Sequence, residues 1–254
     1  MSDVSDVPTT LEPYLDEVPR AWATAHEVGP FTLFVRDDPA GWHYYARPRL
    51  GGSGVCTRDD VDDLRARQRA LGVPENLEWV HETTPGLLVE ARASGLDVAE
   101  CPLMVLGDRV TAPAGALDVR VLDADDDLGP VLAAVHAGFG GTDEVEPLPV
   151  GNRREWVRSG LLAMAAAYDG QGAAVGGGSH GPRGDVTELV GIAVLPRAPR
   201  RGFGAGLTAA LVDDARARGV RTVFLSAQDD AVARVYERIG FVRVGTSCIA
   251  EPPA

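Results

Sequence analysis

The second half of the chain contains an apolar run, a glycine-rich loop, an amphipathic run and a second apolar run, and this order limits the folds open to it. Residues 186–196, VTELVGIAVLP, are almost all apolar, as in a strand covered on both faces of a sheet. Apolar residues then recur at helical spacing until Gly219, namely Leu207, Ala210, Leu211 and Ala215. The run RTVFLSA is the next strand. Two strands joined through one helix lie parallel with a right-handed crossover, so the order predicts a sheet with helices on its faces.

The loop between the first strand and the helix, PRAPRRGFGAG, carries an arginine pair and three glycines. It follows the carboxyl end of a strand, where ligands bind in open α/β sheets. Glycines let a ligand approach the backbone, and the helix N-terminus behind the loop attracts anions, so the sequence predicts an anion site, most simply for a phosphate. A dinucleotide-binding G-x-G-x-x-G is disfavoured, because its third glycine would fall on Leu207 and the loop comes late in the chain.

Length and composition indicate the class of protein. A chain of 254 residues, 45% hydrophobic, is long enough for one large core or two modest ones. Its net charge of -13 disfavours nucleic acid as a partner, and the absence of lysine excludes a Walker phosphate loop. No apolar run reaches the length of a membrane span, and the acidic N-terminus lacks the layout of a signal peptide, so we expect a cytoplasmic protein.

The cysteines and histidines give no sign of a disulfide framework or a metal site. The three cysteines are widely spaced and are expected to be small buried residues, at Cys56, Cys101 and Cys248. We expect His136 to be a satisfied histidine of the core or the cleft, and His180 to lie in a loop. No histidine has a neighbour at metal-ligand spacing, so we predict no metal.

Strand and helix patterns alternate through the rest of the second half. LDVRVL predicts a strand, and LAMAAAYDG and GAAVGGGSHG predict a hairpin turned by DGQG. LGPVLAAVHAGF and RREWVRSGLL predict helices. Near the C-terminus, Asp229 can cap a helix that Gly240 ends, with one apolar stripe formed by Val232, Val235, Tyr236 and Ile239. This stripe puts Tyr236 on the inward face.

Two segments, ELVGIAVLPRAPRRGFGAGL and DDAVARVYERIGF, resemble motifs of the GNAT superfamily of acyl-CoA N-acyltransferases. The first is similar to the family's fourth strand with its pyrophosphate loop, and the second to its tyrosine-bearing helix ahead of a Gly-Phe pair. The resemblance covers residues 117–250 and implies an α/β (α+β) fold with a mixed sheet flanked by helices. It also implies acetyl-CoA as the co-substrate.

The resemblance assigns the contacts to acetyl-CoA. Backbone groups of the strand would bind the pantetheine arm, at Ile192, Ala193 and Val194. The diphosphate would lie against the loop and the helix start, at Arg200, Arg201, Gly202, Phe203, Gly204, Ala205 and Gly206. Pro199 stands where the family has Gln or Arg, so either Arg200 takes over that contact or the register moves two residues, through Arg201, Gly204 and Gly206. Asp229 stands where the family usually has an asparagine that contacts the cofactor, although a helix cap alone explains an aspartate.

Two residues carry the chemistry that the resemblance implies. Tyr236 matches the family's general acid, which protonates the departing thiolate. Packing in a core would equally explain a tyrosine there. Glu188, the only acid in ELVGIAVLP, matches the glutamate that some members use as the base, directly or through water. A glutamate at a strand end can also be simply solvated.

The first half of the chain matches the second when it is shifted by 145 positions. LEWVHETTPGLLVEARASGLDVAECPLMV then lies beneath TVFLSAQDDAVARVYERIGFVRVGTSCIA, with Gly95 under Gly240 and Ala91 under Tyr236. Only GGSG precedes the helix-like TRDDVDDLRARQRALG, without the arginines of the later loop. We therefore predict a degenerate GNAT-like domain without a cofactor site at residues 1–115 and a GNAT N-acetyltransferase domain at 116–254.

The predicted activity is transfer of an acetyl group from acetyl-CoA to an amine. The acceptor side is expected to involve AGFGGTDEVEPLPVGNRREW, where Asp143, Glu144 and Glu146 favour a small cationic amine. Two other classes stay open, a non-catalytic acyl-CoA-binding sensor and a protein-interaction module in which the acidic first half binds a partner. A homodimer also stays open.

Overall fold

The computed structural model describes residues 7–39, 43–108, 110–111, 117–198 and 202–253. They divide into two compact units, a first unit of Met1–Met104, Ser226–Ala233 and Arg243–Ala254 and a second unit of Val105–Leu225 and Arg234–Val242. The predicted domain boundary at residue 115 lies outside the described residues and stays a prediction. Within the described residues, no helix combines the length and apolar character that a membrane span needs, and the cytoplasmic location stays a prediction.

The helices of the described residues are α1 (Val7–Arg20), α2 (Arg58–Leu71), α3 (Leu87–Ala93), α4 (Gly129–Phe139), α5 (Arg153–Ser159), α6 (Phe203–Ala217) and α7 (Asp230–Ile239). The strands are β1 (Ala23–Val28), β2 (Phe31–Arg36), β3 (Arg47–Pro48), β4 (Leu77–Val80), β5 (Asp97–Leu106), β6 (Asp118–Val121), β7 (Ala163–Tyr168), β8 (Ala174–His180), β9 (Val186–Val194), β10 (Thr222–Ser226) and β11 (Phe241–Glu251).

The first unit contains an antiparallel sheet of β1, β2 and β3, and a group of strands in the order β4-β11-β5. β11 runs antiparallel to β4, with Cys248 opposite Trp79. The last strand of the chain therefore belongs to the first unit from Arg243 onward. Buried residues of β2, α2, β4 and α3 form its core, among them Phe31, Leu64, Trp79 and Leu87. All three cysteines are buried and free, as predicted.

The second unit is a sheet in the order β10-β9-β8-β7-β6. Neighbouring strands from β6 to β9 are antiparallel, and β9 and β10 are parallel. The predicted strand–helix–strand crossover is therefore confirmed. The predicted hairpin is confirmed as well, because the Asp169 carboxylate in its turn accepts hydrogen bonds from the N–H groups of Gln171 and Ala173 at 2.9 and 3.0 Å.

Helices α4 and α6 pack on opposite faces of this sheet. A Cβ added to Gly177 of β8 would lie 2.6 Å from Val131 of α4, and one added to Gly178 would lie 3.1 Å from Leu211 of α6. Successive side chains of a strand point to opposite faces, so the two helices must lie on different sides. The glycine run of β8 thus allows both helices to approach the sheet closely.

His180 ties α6 to the sheet. The sequence predicted a loop position, but His180 is the last residue of β8 and is fully buried. Its ring nitrogens lie 3.1 Å from Thr187 Oγ1 and 2.9 Å from Asp214 Oδ2. Burial lowers the pKa of His180, although Asp214 opposes this, so the ring stays neutral at neutral pH. His136 is exposed on α4, so it is not a histidine of the core, and a position in the cleft stays a prediction.

The two halves repeat the same order of elements. Adding 145 to the bounds of α2, β4, α3 and β5 gives 203–216, 222–225, 232–238 and 242–251, which match α6, β10, α7 and β11 to within two residues. The shift found in the sequence therefore relates whole helices and strands. A second copy of the fold pattern in the first half is confirmed.

Candidate functional site

An irregularity in β9 was missed at the sequence level. β8 pairs with β9 in the register Gly177 to Ala193, but two residues later in the register Ser179 to Val190, so β9 carries one extra residue. This bulge lies at Gly191, whose φ of +66° is in the left-handed region that favours glycine. An isolated glycine inside a strand pattern is the signal that could have predicted it.

β9 and β10 separate beyond the first residues of β9. Among the described residues, their parallel register runs from Val186–Thr222 to Glu188–Phe224 and ends there. The sequence predicted that β9 is covered on both faces. For the rest of β9 this is wrong, because Val190 is 42% exposed and the residues from Gly191 to Val194 are half-buried. Such an edge offers backbone N–H and C=O groups to an extended ligand, as an added strand would use them. The predicted contacts Ile192, Ala193 and Val194 lie on this edge segment.

The N-terminus of α6 follows β9 and has no side-chain cap among the described residues. Its N-cap is Gly202, with φ of +88°. The first N–H groups of a helix have no partner within it, and they point toward the loop. A Cβ on Gly204 would meet nothing within 4 Å, so the backbone of this turn is open to approach at that residue. Arg200 and Arg201 lie outside the described residues.

Gly206 differs from the other predicted phosphate contacts. Its N–H donates to Gly202 O at 2.8 Å, and the residue is buried with Leu207. The amide is therefore engaged inside the helix. The N–H groups of Phe203, Gly204 and Ala205 remain as donors of the first turn.

Tyr236 lies half-buried on α7. Its ring meets the edge of the Phe241 ring at 5.8 Å between centroids, with planes at 68°. Burial raises the pKa of Tyr236 to about 12, so the phenol is protonated at neutral pH. The predicted stripe needs one correction, because Val235 is 45% exposed, while Ala233 and Ile239 are buried beside Tyr236 on the inward face.

The two other predicted polar residues have different surroundings. Glu188 is half-buried on β9 opposite Phe224, at the point where β9 and β10 separate. Asp229 caps α7, since its Oδ1 accepts from the N–H of Val232 at 2.8 Å, as predicted. Glu188 and Tyr236 belong to the second unit, and Asp229 belongs to the first. In the described part of the chain, no group of three or more metal-ligating side chains is suited to a metal ion.

The sequence of residues 132–241 matches the Acetyltransferase (GNAT) family. The chain contains a GNAT acetyltransferase domain. The match includes all of β9, α6 and α7, the elements that carry the open strand edge, the uncapped helix start and Tyr236. The prediction of a GNAT-type acyltransferase is thereby confirmed. No curated protein sequence matches the chain.

Solved GNAT structures are similar to the chain over most of its length. A GCN5-related N-acetyltransferase from Kribbella flavida aligns with a TM-score of 0.74 and 19% identity, over 98% of this chain and 96% of that one. One from Sphaerobacter thermophilus aligns with a TM-score of 0.57 and 16% identity, over 99% and 95%. A tandem GNAT protein from the clavulanic acid biosynthesis pathway aligns with a TM-score of 0.51 and 17% identity, over 88% and 79%. The predicted fold class, a GNAT fold with a second GNAT-like copy, is confirmed.

Proposed function

We propose that the chain transfers the acetyl group of acetyl-CoA to the amine of a small cationic acceptor. The observation that carries this proposal is the open edge of β9 directly before an uncapped helix N-terminus, inside a GNAT domain. An extended arm and a diphosphate need these two features side by side. Coenzyme A contains both groups in this order.

The diphosphate is proposed to bind the first-turn N–H groups of α6, at Phe203, Gly204 and Ala205, together with the loop at Arg200, Arg201 and Gly202. The positive end of the helix dipole adds to these hydrogen bonds. The pantetheine arm is proposed to bind the backbone of Ile192, Ala193 and Val194. Gly206 is not proposed as a donor to the diphosphate, because its N–H is bonded to Gly202 O within the helix. Asp229, as a carboxylate, can offer a ligand no amide donor.

Tyr236 is proposed as the general acid and Glu188 as the base. An attacking amine must lose a proton, and a departing thiolate must gain one. A phenol with a pKa of about 12 stays protonated at neutral pH and can donate to a thiolate that is positioned on it. Glu188, on the same strand as the proposed pantetheine contacts and just before the open edge, accepts the amine proton directly or through water.

The charge of the segment after α4 favours a cationic acceptor. Glu144 and Glu146 are exposed acids there. Asp143 contributes less than expected, because the guanidinium of Arg197 donates to its backbone oxygen at 3.1 Å and so lies close to its carboxylate. Two acids still favour a cationic amine over an acidic one through their field.

A screen of acceptors tests the proposed function. We expect thiol release from acetyl-CoA in the presence of small polyamines, aminoglycosides or peptide N-termini, and none without an amine. Thiol release that needs no acceptor would contradict transfer to an amine. Acetyl-CoA binding without turnover on any amine would favour the sensor. Binding of a protein partner with the same affinity in the presence and absence of acetyl-CoA would favour the interaction module.

The first unit is proposed to bind no acetyl-CoA, for three structural reasons. Its strand β3 ends at Pro48, so no long edge precedes helix α2. The start of α2 is closed by its own capping box, in which the Thr57 N–H donates to Asp60 Oδ2 at 2.9 Å and the Asp60 N–H donates to Thr57 Oγ1 at 3.3 Å. The Asp60 carboxylate thus lies where a phosphate would have to bind. Ala91, fully buried, stands in place of a tyrosine.

Calorimetric titration of the whole chain with acetyl-CoA is therefore expected to give one site per chain. The reason is that the helix start of α6 has no side-chain cap, whereas the capping box of α2 places the Asp60 carboxylate at its start. Coenzyme A as titrant is the control, because it shares the diphosphate and should give the same number of sites. A stoichiometry of two would contradict the degenerate first copy.

A further inference from the structure

Two hydrogen bonds join the segment after α4 to the turn after β9. The backbone N–H of Arg197 donates to Asp143 Oδ1 at 2.8 Å. Arg197 Nη1 donates to the backbone oxygen of Asp143 at 3.1 Å. Each residue thus contributes one side chain and one backbone group, and we call this pair of bonds the Asp143–Arg197 link.

The β9 side of this link is held in place by further contacts. Leu195, the first residue after β9, is buried and packs against buried alanines of α4. Its N–H donates to Val175 O at 2.8 Å, and the N–H of Ala198 closes a turn on Leu195 O at 2.9 Å. Arg197 lies inside that turn. Leu195 therefore anchors the start of the turn to α4, and the exposed Arg197 is held through Asp143.

The α4 side is also ordered. The N–H of Thr142 donates to Ala137 O at 3.0 Å, and Gly141 adopts a left-handed φ of +63°. This conformation reverses the chain at the end of α4, directly before Asp143. Both ends of the Asp143–Arg197 link are thus attached to regular structure.

Arg197 is five residues before Gly202, the N-cap of α6. We propose that Asp143 is a positioning residue for acetyl-CoA, because its carboxylate fixes the turn from which the phosphate loop starts. The proposal rests on the proposed function, which assigns that loop to the diphosphate.

Removing the Asp143 side chain has two effects on acetyl-CoA binding, and they act in opposite directions. Acetyl-CoA carries several negative charges, so loss of a nearby carboxylate would by itself tighten its binding. Loss of the hydrogen-bond acceptor would free the turn and weaken binding. Asparagine separates the two effects, because it removes the charge but keeps an oxygen that accepts from the Arg197 N–H.

Calorimetry with acetyl-CoA on the full chain tests this inference. Asp143→Ala should raise the dissociation constant about fivefold, the value of one net hydrogen bond. Asp143→Asn should stay within about twofold of wild type for the same reason. Asp127→Ala is the matched control, because this exposed acid of the same unit also accepts from a backbone N–H, that of Gly129 at 3.3 Å, and its loss should leave the affinity within about twofold.

Amide hydrogen exchange at Arg197 gives a second measurement that needs no ligand. Exchange should be faster in Asp143→Ala and close to wild type in Asp143→Asn, because only the alanine variant removes the acceptor. In kinetics, Asp143→Ala should raise the KM for acetyl-CoA while kcat stays within about twofold, as expected of a residue that only positions the loop.

Unchanged or tighter acetyl-CoA binding by Asp143→Ala would overturn the inference. Equal weakening in Asp143→Ala and Asp143→Asn would overturn it too, since the effect would then follow the charge. Unchanged exchange at Arg197 would show that the link does not hold the turn. A wild-type chain that binds no acetyl-CoA would overturn the proposed function and this inference together, whereas normal binding by both wild type and Asp143→Ala would overturn this inference alone.

Discussion

Replacing Tyr236 by phenylalanine is expected to lower kcat by about 10²- to 10⁴-fold, the usual contribution of a general acid. The substitution removes only the hydroxyl, so the ring keeps its edge contact with Phe241. The affinity for acetyl-CoA should therefore change little. The measurement is thiol release with the best amine of the acceptor screen, together with the dissociation constant of acetyl-CoA from calorimetry.

The pKa of Tyr236 sharpens this test. Since burial raises it to about 12, the phenol stays protonated through the neutral range, and the loss in Tyr236→Phe should be the same at all pH values there. Tyr168→Phe is the matched control, because it removes the same hydroxyl from β7 of the same unit and should keep kcat within about twofold. If Tyr236→Phe keeps kcat within the same limits, Tyr236 serves only in packing.

The order of elements could be predicted because local patterns encode it. The apolar run of β9, the helical spacing of α6 and the cap at Asp229 depend on residues close in sequence, and each is found in the structure. The repeat at 145 positions was likewise visible, because spacing survives even where site residues are lost. Ala91 is buried and so keeps the apolar side of its helix, although it lacks the phenol of a tyrosine.

The remaining features depend on contacts between distant parts of the chain. The Asp143–Arg197 link and the His180–Asp214 pair join residues 54 and 34 positions apart, and no local pattern distinguishes these acids from solvated ones. The partner of a strand is equally hidden, since β11 continues the second copy in sequence but pairs with β4 of the first unit. The bulge at Gly191 differs from these features, because an isolated glycine in a strand pattern is a local signal of a bulge.

Replacing Gly204 by valine is expected to weaken acetyl-CoA binding by roughly 10- to 100-fold, the value of one hydrogen bond to a charged group. A Cβ at this position meets nothing within 4 Å, and helical side chains lean toward the helix N-terminus, so valine would fill space beside the first-turn N–H groups of α6. That space is where the proposed diphosphate must lie to reach the N–H groups. Gly204 belongs to the loop in both registers considered for Pro199, so the expectation does not depend on which arginine takes part.

The same open space means that the loss should be one of binding and not of folding. Valine has a slightly better helix propensity than glycine, so the melting temperature of Gly204→Val should stay the same or rise slightly. Gly86→Val is the matched control, because Gly86 also has nothing within 4 Å of an added Cβ and lies at the start of α3 in the first unit. Its affinity for acetyl-CoA should equal that of wild type. Equal affinities in Gly204→Val and Gly86→Val would contradict a diphosphate at the start of α6. The proposed function would then lose the observation that the open edge of β9 directly precedes a phosphate site.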